Sequence, residues 1–129
     1  MEPKDLRYTR NHEWVRVQGK EGTVGITDYA QSQLGDVVFV EVPDVGRELK
    51  KGEPFGVVES VKSVADLYAP VSGRVVRVNQ ALGDQPELVN QDAYGDGWMV
   101  VVALSDEAEV ESLLDAEGYT RHVASEQHA

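Results

Sequence analysis

The longest apolar run in this chain is Trp98-Met99-Val100-Val101-Val102-Ala103-Leu104; the others are shorter, and Gly, Pro and Asp recur between them. A chain divided in this way does not build long amphipathic helices through its middle. It builds short strands joined by tight turns, which bury their apolar faces as a sandwich or barrel. The expectation is a mainly β fold, a flattened β-sandwich, with a short internal helix and a C-terminal helix. None of the runs approaches the roughly 18–20 residues that a membrane-spanning helix needs.

Residues 12–25 alternate loosely, with Trp14, Arg16 and Gln18 set against Val15 and Val17, and Gly19-Lys20-Glu21-Gly22 supplies the turn of a hairpin. Residues 27–35 break the pattern. Thr27 can cap, Ala30 and Leu34 share a face, and Gly35 can end the segment in a left-handed conformation, so a helix of about two turns is predicted. A strand follows over 36–42 and stops at Pro43-Asp44 and Gly46; residues 47–53 read as a charged turn. Residues 55–59 and 63–68 form the arms of a second hairpin. Pro70-Val71-Ser72-Gly73 turns the chain, 74–78 alternate as a strand, and 83–97 read as loop. Residues 98–104 form a final strand, apolar enough to be buried on both faces. Ser105 or Asp106 is expected to cap the C-terminal helix, with Glu109 closing a capping box on Asp106. Val110, Leu113 and Leu114 then lie on one face, and Gly118 follows the helix. The tail, from about 123 to 129, is expected to be flexible. The spacing Val45-Gly46-x-x-Leu49-x-x-Gly52 is echoed by Val78-Asn79-x-x-Leu82-Gly83, as two units about a pseudo-two-fold axis would produce.

At 129 residues the chain is expected to be a single domain, 1–129, with room for a core of its own. The formal net charge of -11 argues against nucleic acid, whose binding rests on dense Lys and Arg, and favours partners with basic docking surfaces. Part of that charge is local: Asp106, Glu107, Glu109, Glu111, Asp115 and Glu117 read as a solvated helix face. Residues 1–12 have neither the apolar core of a secretory signal nor the acid-poor composition of a transit peptide. The expected location is the cytoplasm, or the mitochondrial matrix if the chain is a processed organellar form. The absence of cysteine excludes disulfides, thiolate metal sites and Cys nucleophiles, so any redox atoms come from a cofactor. His12, His122 and His128 make no metal-ligand spacing with an acidic pair, and no metal is expected. Neither a Ser-His-Asp constellation nor a phosphate-cradling Gly loop is present.

Lys62 stands apart from this background. It lies between two apolar, β-branched arms, in Glu59-Ser60-Val61-Lys62-Ser63-Val64. Pairing the arms about Val61-Lys62 sets Ser60 opposite Ser63 and Glu59 opposite Val64. Val58, Ser60, Ser63, Ala65 and Leu67 then share one face, while Glu59 and Asp66 share the solvated one. A lysine at such a tip packs against little, and its long stem ends in an amine that can be acylated. The bland alternative is an ordinary exposed turn lysine.

Glu59-Ser60-Val61-Lys62-Ser63-Val64-Ala65-Asp66-Leu67-Tyr68-Ala69-Pro70-Val71-Ser72-Gly73 resembles the lipoyl-attachment segment of the glycine cleavage system H protein family. His12-Glu13-Trp14, Val24-Gly25-Ile26-Thr27-Asp28-Tyr29-Ala30-Gln31, Leu34-Gly35-Asp36-Val37-Val38-Phe39-Val40, Leu88-Val89-Asn90 and Tyr94-Gly95-Asp96-Gly97-Trp98-Met99 extend the similarity over roughly residues 6–120. Ala65 and Ala93 depart from it, standing where the family often has Ser and Pro. The tail after His122 lies outside the pattern.

The resemblance implies a barrel-sandwich hybrid of the lipoyl/biotinyl-carrier type, with lipoate attached to Lys62 through an amide. It implies that Glu59 and Gly73 help the lipoylating enzyme recognise the site, and that Glu13 lies by a groove where it can contact the loaded arm. The chemistry suits, since a carboxylate pairs with a cation and Trp14 offers an apolar wall; the bland alternative is an exposed strand acid at Glu13 and a plain core residue at Trp14. The family's members are monomeric, non-catalytic shuttles. They carry an aminomethyl group from a pyridoxal-phosphate-dependent glycine decarboxylase to a folate-dependent aminomethyltransferase, and the reduced dithiol to dihydrolipoyl dehydrogenase. Lysine stem and lipoyl chain together reach on the order of 14 Å by bond lengths.

Four other roles could start from the same lysine. A biotin carrier would flank its lysine with Met, and the lipoyl domain of a 2-oxoacid dehydrogenase would place Asp before it and sit on a long Ala/Pro linker; Val61 and Ser63 fit neither. A lipoyl relay that donates the group to other enzymes would use the same Lys62. A plain acidic interaction module would leave it unmodified.

Overall fold

The computed structural model describes residues 3–127. In chain order its elements are β1 (Arg7–Tyr8), β2 (Glu13–Gln18), β3 (Glu21–Ile26), α1 (Asp28–Leu34), β4 (Val37–Glu41), β5 (Glu48–Leu49) and β6 (Pro54–Ser60). They continue with β7 (Val64–Tyr68), β8 (Gly73–Val78), α2 (Ala81–Asp84), α3 (Leu88–Gln91), β9 (Val100–Leu104), α4 (Ala108–Glu111) and α5 (Ala116–Gln127). The strands form two sheets that do not close. One has six strands in the order β1-β2-β3-β9-β8-β5, the other three in the order β4-β6-β7, with every pairing antiparallel.

Both sheets feed one core. Val15, Val24, Val75, Val100 and Val102 enter it from the larger sheet, and Val37, Val40, Val58 and Leu67 from the smaller. The period of two explains which residues these are: in β6, Val58 points inward while Glu59 points out. Leu49 and Leu82, the equivalent positions of the internal echo, are both buried in this core. A second cluster, Leu6, Tyr8, Trp14, Ala116 and Tyr119, packs α5 on the outer side of the larger sheet, where Tyr8 and Tyr119 stack at 4.7 Å. β9 is central in its sheet and covered on both faces, as expected. Val100 and Val102 face the core, and buried Val101 lies with Trp98 and the Arg16 and Arg77 side chains.

The two-turn helix is α1. Thr27 caps it by accepting the Ala30 N–H at 3.1 Å, and Gly35 ends it at φ 80°. Asn90, in a segment expected to be loop, anchors the exit from α1. Its Oδ1 accepts the Val37 N–H at 2.8 Å and its amide donates to the Gly35 carbonyl at 2.9 Å. The structure departs from the sequence reading at several places along the fold. The first hairpin turns on Gly19-Lys20 alone, because Glu21 and Gly22 already pair with Gln18 and Val17. Residues 47–53 contain β5, whose Leu49 is buried. Residues 83–97 contain helical turns, since Leu82 and Val89 bury against the core. The capping box does not form: the Glu109 carboxylate accepts from the Ser72 N–H and hydroxyl at 2.7 and 2.8 Å instead. Finally, the C-terminal segment is two helices. The chain straightens between them so that Leu114 bridges to Tyr8, which places Gly118 inside α5. Residues 123–127 continue α5, and 128–129 lie outside the described residues. No helix among the described residues is long and apolar enough to cross a membrane.

Gly73 opens β8 where two backbones almost touch. A Cβ there would lie 2.1 Å from the Ala103 carbonyl oxygen and 2.6 Å from Val102 Cγ1. The carbonyl cannot retreat without breaking the β8–β9 ladder. Gly73→Ala is therefore expected to cost about 3 kcal/mol, the upper end of overpacking effects. Urea unfolding checks this, and an unchanged midpoint would contradict it.

Candidate functional site

Lys62 stands at the tip of the β6–β7 hairpin, and the register there is the one expected, with Glu59 opposite Val64. Ser60 organises the turn. Its N–H donates to the Ser63 carbonyl at 2.8 Å, and its Oγ accepts the Ser63 and Lys62 N–H groups at 3.1 and 3.3 Å. The Val61 N–H donates to the Asp36 carbonyl at 3.0 Å, tying the tip to the segment between α1 and β4. Val58, Ser60 and Leu67 are buried and Ala65 is half-buried, as the period of two requires, whereas Ser63 is exposed because it already belongs to the turn. Around the lysine, Val61 (69% exposed), Val64 (65%) and Phe39 (50%) present apolar side chains to solvent. The Lys62 stem lies over Gly35, where an added Cβ would sit 3.4 Å from Lys62 Cε and 3.9 Å from Nζ.

Next to Gly35, Leu34 and Gln33 begin the wall of a groove of about 340 Å³. Tyr29 and Ala30 of α1 continue that wall. Ile26, Val58 and Leu67 are apolar lining, Ala65 and Asp66 of β7 line it as well, and His12, Glu13 and Glu126 complete it. α1, read from sequence only as a helix, is thus a groove wall, and Asp66 is part of the lining. Neither role was legible without the fold, because the two segments meet only when the sheets pack.

Glu13 is 2% exposed and lies between the sheets. Its Oε1 accepts the Thr9 hydroxyl at 2.6 Å, and its Oε2 accepts the Tyr68 N–H at 3.2 Å. Among the described residues no Lys, Arg or His forms an ion pair with it. Burial therefore pushes the Glu13 carboxyl up to about 7, against the opposing pull of the bonds from Thr9 and Tyr68. The alternative of an exposed strand acid does not hold. Trp14 does not serve as a groove wall. It follows Glu13 in β2, points to the other side of the sheet, and is fully buried with its indole N–H donating to the Ala93 carbonyl at 3.0 Å.

The remaining sequence candidates are dispersed. Glu59 is exposed on β6, paired with Phe39 on one side and Val64 on the other. Gly73 belongs to the larger sheet rather than the tip hairpin, and the close approach of β9 already demands glycine there. His12 and His122, which sequence spacing did not connect, come together with Glu126, and the ligand atoms of the three lie within 4.8 Å of one another. Burial lowers His12 below the usual imidazole value, with Glu126 opposing and His122 adding to the effect. His128 lies outside the described residues.

The raised Glu13 value has a definite sign. The folded chain holds this proton to a higher pH than the unfolded chain does. The contribution of Glu13 to stability is therefore full below about 4.5, shrinks as pH rises, and is lost above about 7. Carbon-13 NMR of the Glu13 carboxyl is expected to give a midpoint near 7; a midpoint near the ordinary 4.5 would contradict the desolvation argument.

Comparison with known proteins agrees with this geometry. A family model described as Glycine cleavage H-protein matches residues 6–126. The glycine cleavage system H protein of Symbiobacterium thermophilum is 62% identical over 117 residues, covering 91% of each chain. That of Bacillus subtilis is 58% identical over 117 residues, covering 91% of this chain and 92% of the relative. The crystal structure of a glycine cleavage system H protein from Mycobacterium marinum superposes with a TM-score of 0.88 at 41% identity, covering 95% of this chain and 99% of that one. With a matched segment that spans both sheets, the tip hairpin and α5, the chain belongs to the glycine cleavage H-protein family.

Proposed function

We propose that this chain is the lipoyl-bearing shuttle of a glycine cleavage system, with Lys62 as the residue that holds lipoate in amide linkage. The observation that carries the reading is the path from the Lys62 stem, over Gly35, into a groove lined by a buried carboxylate without a counter-charge. The residues present fit the group. An amide needs an accessible amine on a firm base, and Lys62 is exposed on a turn fastened by Ser60 and Asp36. When attached, lipoate supplies the sulfur atoms that accept an aminomethyl group and undergo oxidation and reduction.

The chain's own residues do the rest. Ser60 and the Val61–Asp36 bond hold the tip in one geometry, so a modifying enzyme meets a preformed substrate. Glu59, exposed on the strand leading to the tip, is a charged handle for that enzyme, and Gly73 supports recognition by keeping the following strand in register. Val61, Val64 and Phe39 form an apolar surface around the lysine that partner enzymes can cover during transfer. Glu13 pairs with the cationic amine of the cargo and thereby gains the counter-ion that the fold denies it. Ile26, Val58 and Leu67 exclude water from the same space. The partners in this reading are glycine decarboxylase, aminomethyltransferase, dihydrolipoyl dehydrogenase and a lipoylating enzyme, met in the cytoplasm. The chain itself acts as a monomeric, single-domain carrier rather than as a catalyst.

Incubation with a lipoylating enzyme, lipoate and ATP, followed by intact-mass measurement, tests the assignment. One lipoyl mass is expected on the native chain and none on Lys62→Ala. Glu59→Ala is expected to slow the modification by about tenfold, or about 1.4 kcal/mol of recognition. A native chain that stays unmodified, or a Lys62→Ala chain that gains the mass, would overturn the reading.

A further inference from the structure

Two imidazoles and one carboxylate converge where α5 returns to the β1–β2 connection. His12 Nε2 lies 2.7 Å from Glu126 Oε2, and His122 Nε2 lies 3.5 Å from the same oxygen. His122 and Glu126 are one helical turn apart on α5, so the helix presents both on one side. The two rings lie 5.5 Å apart. Their side chains are 17% and 16% exposed, whereas Glu126 is 40% exposed, so the nitrogens are sheltered and the carboxylate side is open to water.

His12 is held for this position in two ways. It is the non-glycine residue with positive φ among those described, at 70°, which turns its ring out of the β2 direction toward α5. Its Nδ1 lies 2.7 Å from the Tyr119 hydroxyl, which lies 2.7 Å from Thr27 Oγ1. With the Nδ1 proton donated to that hydroxyl, the proton that Nε2 shares with Glu126 across 2.7 Å is the one a metal ion would replace. This is the outer-shell arrangement that orients a metal-binding histidine. A single carboxylate supplies one negative charge for two imidazoles. A divalent cation satisfies all three groups together, and the chain's net charge of -11 favours its approach.

We propose that His12, His122 and Glu126 form a binding site for one divalent ion of the zinc class, with water completing the coordination. Two imidazole nitrogens and a carboxylate oxygen suit zinc and the neighbouring late first-row ions better than magnesium or calcium. Donors on a tetrahedral ion with bonds of about 2.1 Å lie about 3.4 Å apart. The ligand atoms all lie within 4.8 Å of one another; the 3.5 Å from His122 Nε2 to Glu126 already matches that spacing, and the 2.7 Å from His12 Nε2 to Glu126 opens to it when the ion enters. The ion would tie α5 to the connection that carries His12, beside the groove that His12 and Glu126 help to line. Arg10 stands next to His122, its carbonyl 3.0 Å from Nε2, and yields that contact when the ring turns to the ion.

The test is calorimetric titration of zinc chloride into the full, untagged chain, freed of metal by chelation and kept without reductant, with thermal melts alongside. One equivalent is expected to bind, and the melting temperature is expected to rise with zinc concentration as binding to the folded state requires. His122→Ala and Glu126→Gln should each weaken binding by at least about tenfold, the smallest effect seen for loss even of an outer-shell partner. His12→Asn, which tolerates the left-handed backbone, should do the same. Lys62→Arg and His128→Ala should bind as the native chain does. Circular dichroism of each variant without zinc checks that it remains folded. No saturable uptake by the native chain, uptake indifferent to the three ligand variants, or uptake lost with His128→Ala would each overturn the proposal.

Discussion

Glu13 sits in β2 of the larger sheet and accepts a hydrogen bond from Tyr68 at the end of β7 in the smaller one. Taking a carboxylate out of water without a cation costs several kcal/mol unless it is protonated or hydrogen-bonded. Thr9 and Tyr68 provide the bonds, and the raised pKa marks what they leave uncompensated. An apolar residue in this place would stabilise the contact between the sheets at no such cost. In the proposed reading, the carboxylate held here receives a positive charge that arrives from outside the fold, and the tip hairpin and α1 are the means of delivering it.

That delivery depends on register. A one-residue slip in the β6–β7 hairpin would carry Val58 to the outer face and turn the whole tip over. The ladder prevents the slip because Val58 and Leu67 are buried in the shared core, and Ser60 then closes the turn around Lys62. α1 completes the path. Its cap at Thr27 and its anchor at Asn90 fix the helix, and its end at Gly35 gives the Lys62 stem a surface without a side chain to cross. The same Thr27 contacts the Tyr119 hydroxyl of α5, which adds to the His12–Glu126 contact in coupling the C-terminal helix to the groove wall.

What was legible in the sequence was whatever a short stretch determines by itself. The tip hairpin, its register and its exposed lysine follow from alternation and turn chemistry within residues 55–68, and α1 follows from Thr27 and Gly35. The family resemblance then pointed to Glu13 and a groove, and the fold places Glu13 at one. The misreadings concern residues whose partners are distant in sequence. Glu109 fits a local capping box but finds Ser72, and Leu49 looks like part of a turn until the core claims it. Trp14 offers an apolar wall by its chemistry, but strand neighbours face opposite ways, so it cannot share the groove with Glu13. The His12, His122 and Glu126 cluster has no spacing to read, since α5 brings its two residues back to the start of the chain.

The most direct measurement of the account is the rate at which a lipoylated chain, loaded with its aminomethyl cargo and separated from its partners, releases ammonia at pH 8. The native chain is compared with Glu13→Gln, both shown by mass to be fully lipoylated. If the buried carboxylate holds the cargo's ammonium away from water, the variant releases it at least about tenfold faster, the equivalent of one lost charge-assisted hydrogen bond. Equal rates in the two chains would contradict the account and leave Glu13 as a clip between the sheets.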